Sequence, residues 1–234
     1  MVIKPLGTII GGTSKGRFLF LLISLLLYLV LVPFFAKLFT LRLLADIFMT
    51  AILLAGIYAT GRKKSHLVVA MLLGLPLFLS NWSTYFVKSA LPVSIGTVAG
   101  SLFFAYMIFI LLSFLFRETE VTAEVIYAAL AGYLFLGLLW TFVYRLMFSI
   151  DPNSFQVTLN QTRNPHRIFI YFSFVTLTTL GYGDITPLSD QAYALTVLEA
   201  VVGQLYLAVM IARLVGIHIS QSVNKKNEYD GKKG

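Results

Sequence analysis

The sequence predicts an all-α membrane protein of six transmembrane helices, with a shorter apolar segment that enters and leaves the bilayer on one side between the fifth and sixth. Three observations predict it. Of 234 residues, 58% are hydrophobic and 12% charged, a balance too apolar for a soluble domain. Apolar windows of about 15 to 25 residues recur along the chain between short polar stretches. Cysteine is absent, so neither a disulfide framework nor a thiolate metal site organises the fold.

The windows fall near residues 18–36, 41–60, 66–80, 93–116, 124–148 and 191–217. The first follows Lys4, Lys15 and Arg17 as a signal peptide would, but it runs on without a small-residue cleavage site and is read as a retained span. The second contains Asp46, one helical turn from Arg42, which reads as an outer-edge ion pair. The third is short and reaches toward Asn81-Trp82-Ser83, where Trp82 suits an interfacial belt. Ser94 to Leu115 of the fourth carries no Lys or Arg, and Arg117 sits beyond its end. With the N-terminus inside, twelve of the 18 Lys and Arg residues fall on the inner side, led by Arg62-Lys63-Lys64. That bias places both termini in the cytoplasm. It also explains the net charge of +8 by topology rather than by a nucleic-acid partner.

Between the last two windows lies a polar stretch from Ser149 to Arg167, then an apolar run from Ile168 to Thr178. This run is far shorter than the roughly 20 residues a crossing needs, so it must be re-entrant. Asn164 suits an N-cap and Pro165 a first helical residue, which predicts a short helix starting there and ending at the next motif.

Residues 176–184 read TLTTLGYGD. Gly181 and Gly183 can adopt φ > 0, and Thr179 adds a hydroxyl oxygen. A lone Gly-Tyr-Gly would be weak evidence. Flanked by Thr178-Thr179 and Asp184, and set between two long apolar segments, the string is specific.

On these residues the chain resembles the tetrameric potassium channel family over about residues 125–220. The resemblance implies a homotetramer in which Thr179, Leu180, Gly181, Tyr182 and Gly183 form the selectivity filter, with K+ as permeant ion held at Thr179, Leu180, Gly181 and Tyr182. Leu180 departs from the commoner Val or Ile. Because only its carbonyl would meet the ion, the change should affect packing. Tyr171 and Phe172 stand where relatives carry an aromatic collar, and the Tyr171 hydroxyl is expected to bond Asp184 behind the filter beside Thr178. Val175 stands where some relatives place a buried Glu.

In the sixth span Gly203 matches a gating hinge of many relatives, although a glycine there equally serves close helix packing. Gln204, Leu207, Ile211 and Val215 recur at helical spacing, and the family alignment turns them toward the pore, the last three as a hydrophobic constriction. Glu199 is the acid in the interior of that span, where a charge is costly. It is expected behind the pore helix as filter support, with Thr176, Thr178 or Arg145 as partners; a protonated or water-facing Glu is the alternative. Arg213 is expected to snorkel to the headgroups.

The resulting domain reading is a cytoplasmic start over 1–17, a four-helix voltage-sensor-like unit without sensing charges over 18–120, a pore domain over 121–220 and a cytoplasmic tail over 221–234. The expected partners are the lipid bilayer and further copies of the chain, in a multi-pass cell-membrane protein. No P-loop, EF-hand or metal spacing among His66, His166 and His218 is present, and no soluble ligand domain or enzymatic constellation is expected. A non-conducting regulatory subunit is the alternative function.

Overall fold

The computed structural model describes residues 16–34, 41–60, 64–86, 90–157 and 165–230. Its elements are α1 (Arg17–Phe34), α2 (Leu41–Ala59), α3 (Lys64–Ser83), α4 (Ala90–Arg117), α5 (Ala123–Ile150), β1 (Phe155–Val157), α6 (Pro165–Leu177), β2 (Ile185–Pro187) and α7 (Asp190–Asp230). Helices α3, α4, α5 and α7 are long and apolar enough to cross a membrane, and α1 and α2 are shorter apolar helices over the described residues. The chain is a mostly helical membrane protein.

Helix α5 is the spine. Its most apolar window is 67% buried, against 17% for α7, so the last helix leaves most of its apolar surface uncovered by its own chain. On one side α5 receives α4 and α1, with Phe104 packing at 5.2 Å from Phe135 and 5.3 Å from Phe142. Gly100 makes that approach possible, since a Cβ there would overlap the Phe142 ring. On its other side α5 receives α6 and α7. Thr122 caps the start of α5, accepting from the Val125 N–H at 3.4 Å. Residues 118–122 are the whole connection from α4 to α5, so the N-terminal helices pack on the α5 of their own chain.

Four expectations need correction or limits. Helix α3 runs through Ser83, and Trp82 donates to Thr50 Oγ1 of α2 at 3.3 Å, which ties it into the bundle. Helix α7 continues to Asp230, about 60 Å in all, because the tail after Gln221 lacks Pro and Gly until Gly231 and is rich in residues that tolerate helix. Asp46 accepts from the Tyr85 hydroxyl at 2.8 Å, while the Arg42 side chain and the N-cap residue Asn164 lie outside the described residues.

The fourth concerns Arg213, which does not snorkel. It donates from Nε and Nη2 to the Leu115 carbonyl at 3.1 and 2.9 Å and from Nη2 to the Glu118 carbonyl at 3.0 Å. The last carbonyls of α4 have no partner within their own helix, and a guanidinium fork satisfies both them and the helix dipole. Gln221 adds a second tie, accepting from the Val121 N–H at 3.2 Å. Arg213→Met, which keeps the stem and removes the donors, is expected to lower stability by roughly 1.5–3 kcal/mol in thermal unfolding in detergent. Arg213→Lys should recover only part, because an ammonium cannot reproduce the fork.

Candidate functional site

Helix α6 begins at Pro165, whose fixed φ suits a first helical turn, and spans 13 residues, about 20 Å. Phe169, Phe172, Ser173 and Leu177 form its buried stripe at spacings of three and four. Phe172 packs edge-on to Tyr144 of α5 at 5.0 Å and to Phe155 of β1 at 5.4 Å. The Tyr133 hydroxyl donates to the Leu177 carbonyl at 3.1 Å, satisfying one of the orphan carbonyls at the end of α6.

Backbone bonds turn the chain out of α6. The Val175 carbonyl accepts from the Leu180 N–H at 2.9 Å and the Gly181 N–H at 3.3 Å, and Thr179 N–H donates to Thr176 at 2.9 Å. Beyond the turn φ is positive at every second residue: Thr179 at 59°, Gly181 at 53° and Gly183 at 75°. For the two glycines this costs little. For Thr179, a β-branched residue, it is a strained conformation worth of order 1–3 kcal/mol that the surroundings must hold.

Both ends of the loop are fixed. On the far side β2 pairs antiparallel with β1, Gln156 opposite Thr186, and the Ser154 carbonyl accepts from Leu188 N–H at 2.8 Å. Behind the loop the Tyr171 hydroxyl donates to Asp184 Oδ2 at 2.7 Å, the bond the spacing anticipates, and the Tyr171 ring stacks on Tyr182 at 6.5 Å. Thr178 to Gly183 are exposed in the single chain.

The expected α7 residues divide. Gly203 is buried against α6, where an added Cβ would lie 2.7 Å from Leu177 Cδ1 and 3.0 Å from its carbonyl oxygen. Close packing is therefore a present role of this glycine. Gln204, Ile211 and Val215 lie on the exposed face, and Leu207 is half-buried beside them.

Glu199 is fully buried, but its partners are not the expected ones. Tyr144 donates to Oε2 at 2.5 Å and Ser173 Oγ lies 2.5 Å from Oε1. Thr178 instead donates to the Phe174 carbonyl at 2.7 Å. Arg145 turns to the other side of α5, over the Phe142 ring at 5.3 Å and toward Tyr28. Of the expected partners Thr176, Thr178 and Arg145, none bonds Glu199; the sequence signal for Ser173 is its place on the stripe 169-172-173-177, which Thr176 falls off. Tyr144, 55 positions from Glu199, left no local signal.

The site is thus a loop with positive φ at every second residue, held at the end of a short helix between two long apolar helices. Residues 120–218 match the family model described as "Ion channel", a family that includes potassium channels. That span covers α5, α6, the loop and most of α7. No curated protein matches the chain.

Proposed function

We propose that the protein is a potassium-selective channel, a homotetramer in which four copies of Thr179–Gly183 line one axis. The observation that carries the reading is the left-handed backbone at Thr179, Gly181 and Gly183. In an ordinary strand successive carbonyls point to opposite sides; changing hand at every second residue turns them to one side, where they can replace the hydration shell of a potassium ion. Side chains of Leu180 and Tyr182 then face away from the ion as packing.

Fourfold assembly is supported by what one chain leaves uncovered: the loop itself and the apolar face of α7. In this arrangement α6 is a pore helix whose C-terminus points at the axis, and four such ends favour a cation below the filter. Gln204 borders the cavity, while Leu207, Ile211 and Val215 form the constriction. Helices α1–α4 are a periphery that does not sense voltage in the usual way: each gating charge is worth about 2.3 kcal/mol per 100 mV, and α4 has none from Ser94 to Leu115. The chain sits in the cell membrane with both termini cytoplasmic.

The test is flux from liposomes holding the purified protein, with a potassium gradient, with sodium in its place, and with barium as blocker. Barium-sensitive potassium flux well above sodium flux is expected. A folded tetramer that passes sodium equally would sink the selectivity claim, and one that passes neither under any stimulus would favour a regulatory subunit. Tyr171→Phe keeps the ring and removes a hydrogen bond worth about 0.5–1.5 kcal/mol per chain. Sustained potassium current is expected to decay several-fold faster in this variant, with the fold unchanged by circular dichroism.

A further inference from the structure

Glu199 sits where an ionised carboxylate is hard to hold. Its exposure is 0%, and the groups that face it are Tyr144 and Tyr133 from α5 and Ser173 from α6. Among the described residues no Lys, Arg or His interacts with it. A buried carboxylate with no cation would lack the pairing that normally offsets desolvation.

The hydrogens decide the state. Ser173 Oγ lies 2.5 Å from Glu199 Oε1 and 2.7 Å from the Gly137 carbonyl oxygen. A serine hydroxyl has one hydrogen, and a carbonyl only accepts. Were Glu199 ionised, Ser173 would face two acceptors with one proton, and one short contact would set lone pair against lone pair. With a proton on Oε1 the account closes: Glu199 donates to Ser173, Ser173 donates to Gly137, and Tyr144 donates to Oε2.

We infer that Glu199 carries a proton and in that neutral form is a positioning residue, fastening α7 and α5 to the back of α6 and so holding the loop that α6 ends in. The mechanical path is short. Ser173 lies two residues before Val175, whose carbonyl holds the Leu180 and Gly181 N–H groups. Loss of the proton puts a charge into the junction and turns the one Ser173 hydrogen to the Glu199 carboxylate, so the Ser173–Gly137 bond is lost and α6 is loosened from α5. The role in conduction rests on the channel reading above; the protonation state does not.

Two measurements on the intact protein separate these claims. The infrared spectrum near neutral pH is expected to contain a protonated carboxylic acid C=O band that is lost in Glu199→Gln and moves to higher frequency in Ser173→Ala and Tyr144→Phe, since each loses a bond to the acid. An acid band unchanged in Glu199→Gln would overturn the assignment. In liposome flux, Glu199→Ala is expected to lose about tenfold or more, because it removes the tie from α7 to Ser173 and Tyr144 and leaves a cavity in the buried junction. Glu199→Gln, which can accept from Tyr144 and donate to Ser173, is expected to restore flux to within about twofold of the parent. Raising the pH until the acid band disappears should lower parent flux over the same interval, and Glu199→Gln should stay flat over it. A Gln variant as impaired as Ala, or one retaining the parent's fall with pH, would overturn the positioning role. Flux absent from every protein with the acid band present would defeat the channel reading and leave the protonation intact.

Discussion

Gly181→Ala is expected to abolish selective potassium flux while leaving the helical bundle folded. The reasoning is conformational. Gly181 has φ 53°, and nothing of its own chain lies within 4 Å of where a Cβ would stand, so the substitution meets no steric wall within the chain. What it meets is the cost of the left-handed region for a residue with a Cβ, roughly 1–2 kcal/mol per residue. In the tetramer proposed above that becomes roughly 4–8 kcal/mol, concentrated on a loop held by a few backbone bonds. The chain can relieve it by turning the peptide plane, which takes a carbonyl off the axis. Thr179 shows that the loop tolerates a strained side chain, so folding is not at stake. Gly16 supplies the control: it has φ 98° with nothing within 4 Å, at the start of α1 where its N–H donates to Glu124. Gly16→Ala pays a similar local cost and should leave the potassium-to-sodium flux ratio unchanged. A Gly181→Ala channel with the parent's ratio would show that the carbonyls of this loop do not select the ion.

Much of the helical pattern was legible because burial in lipid and protein both demand long apolar runs. The helix starts at Arg17, Leu41 and Ala123 fall where the windows were drawn. Less legible was what one helix does to another. Arg213 looked like a snorkelling residue because sequence displays its own helix and not the unpaired carbonyls of Leu115 and Glu118. Glu199 was recognisable as costly, but its partners come from two other elements, and the choice between Ser173 and Thr176 depends on which side of α6 is buried. The loop shows the same division. Positive φ at Gly181 and Gly183 follows from residue type; at Thr179 residue type argues against it, and only the surrounding bonds impose it.

Gly203 is where the two readings of one glycine give opposite results. If its purpose is to bend α7, Ala should stiffen the helix and stabilise the protein by about 1 kcal/mol through helix propensity alone. The contacts argue otherwise. A Cβ would sit 2.7 Å from Leu177 Cδ1 and 3.0 Å from the Leu177 carbonyl oxygen. The methyl group has little room to withdraw, because Leu177 is 0% exposed, and the carbonyl is fixed by the Tyr133 hydroxyl at 3.1 Å. Overpacking of this kind costs typically about 1–3 kcal/mol, which equals or exceeds the propensity gain. Gly203→Ala is therefore expected to lower the thermal midpoint and, by pushing α7 off the end of α6, to reduce potassium flux. Leu177→Ala removes the methyl clash but leaves the carbonyl, so the double variant should recover part of the loss in a double-mutant cycle. A raised midpoint in Gly203→Ala would mean that α6 yields at its last turn; the glycine would then be explained by motion of α7 rather than by contact with α6.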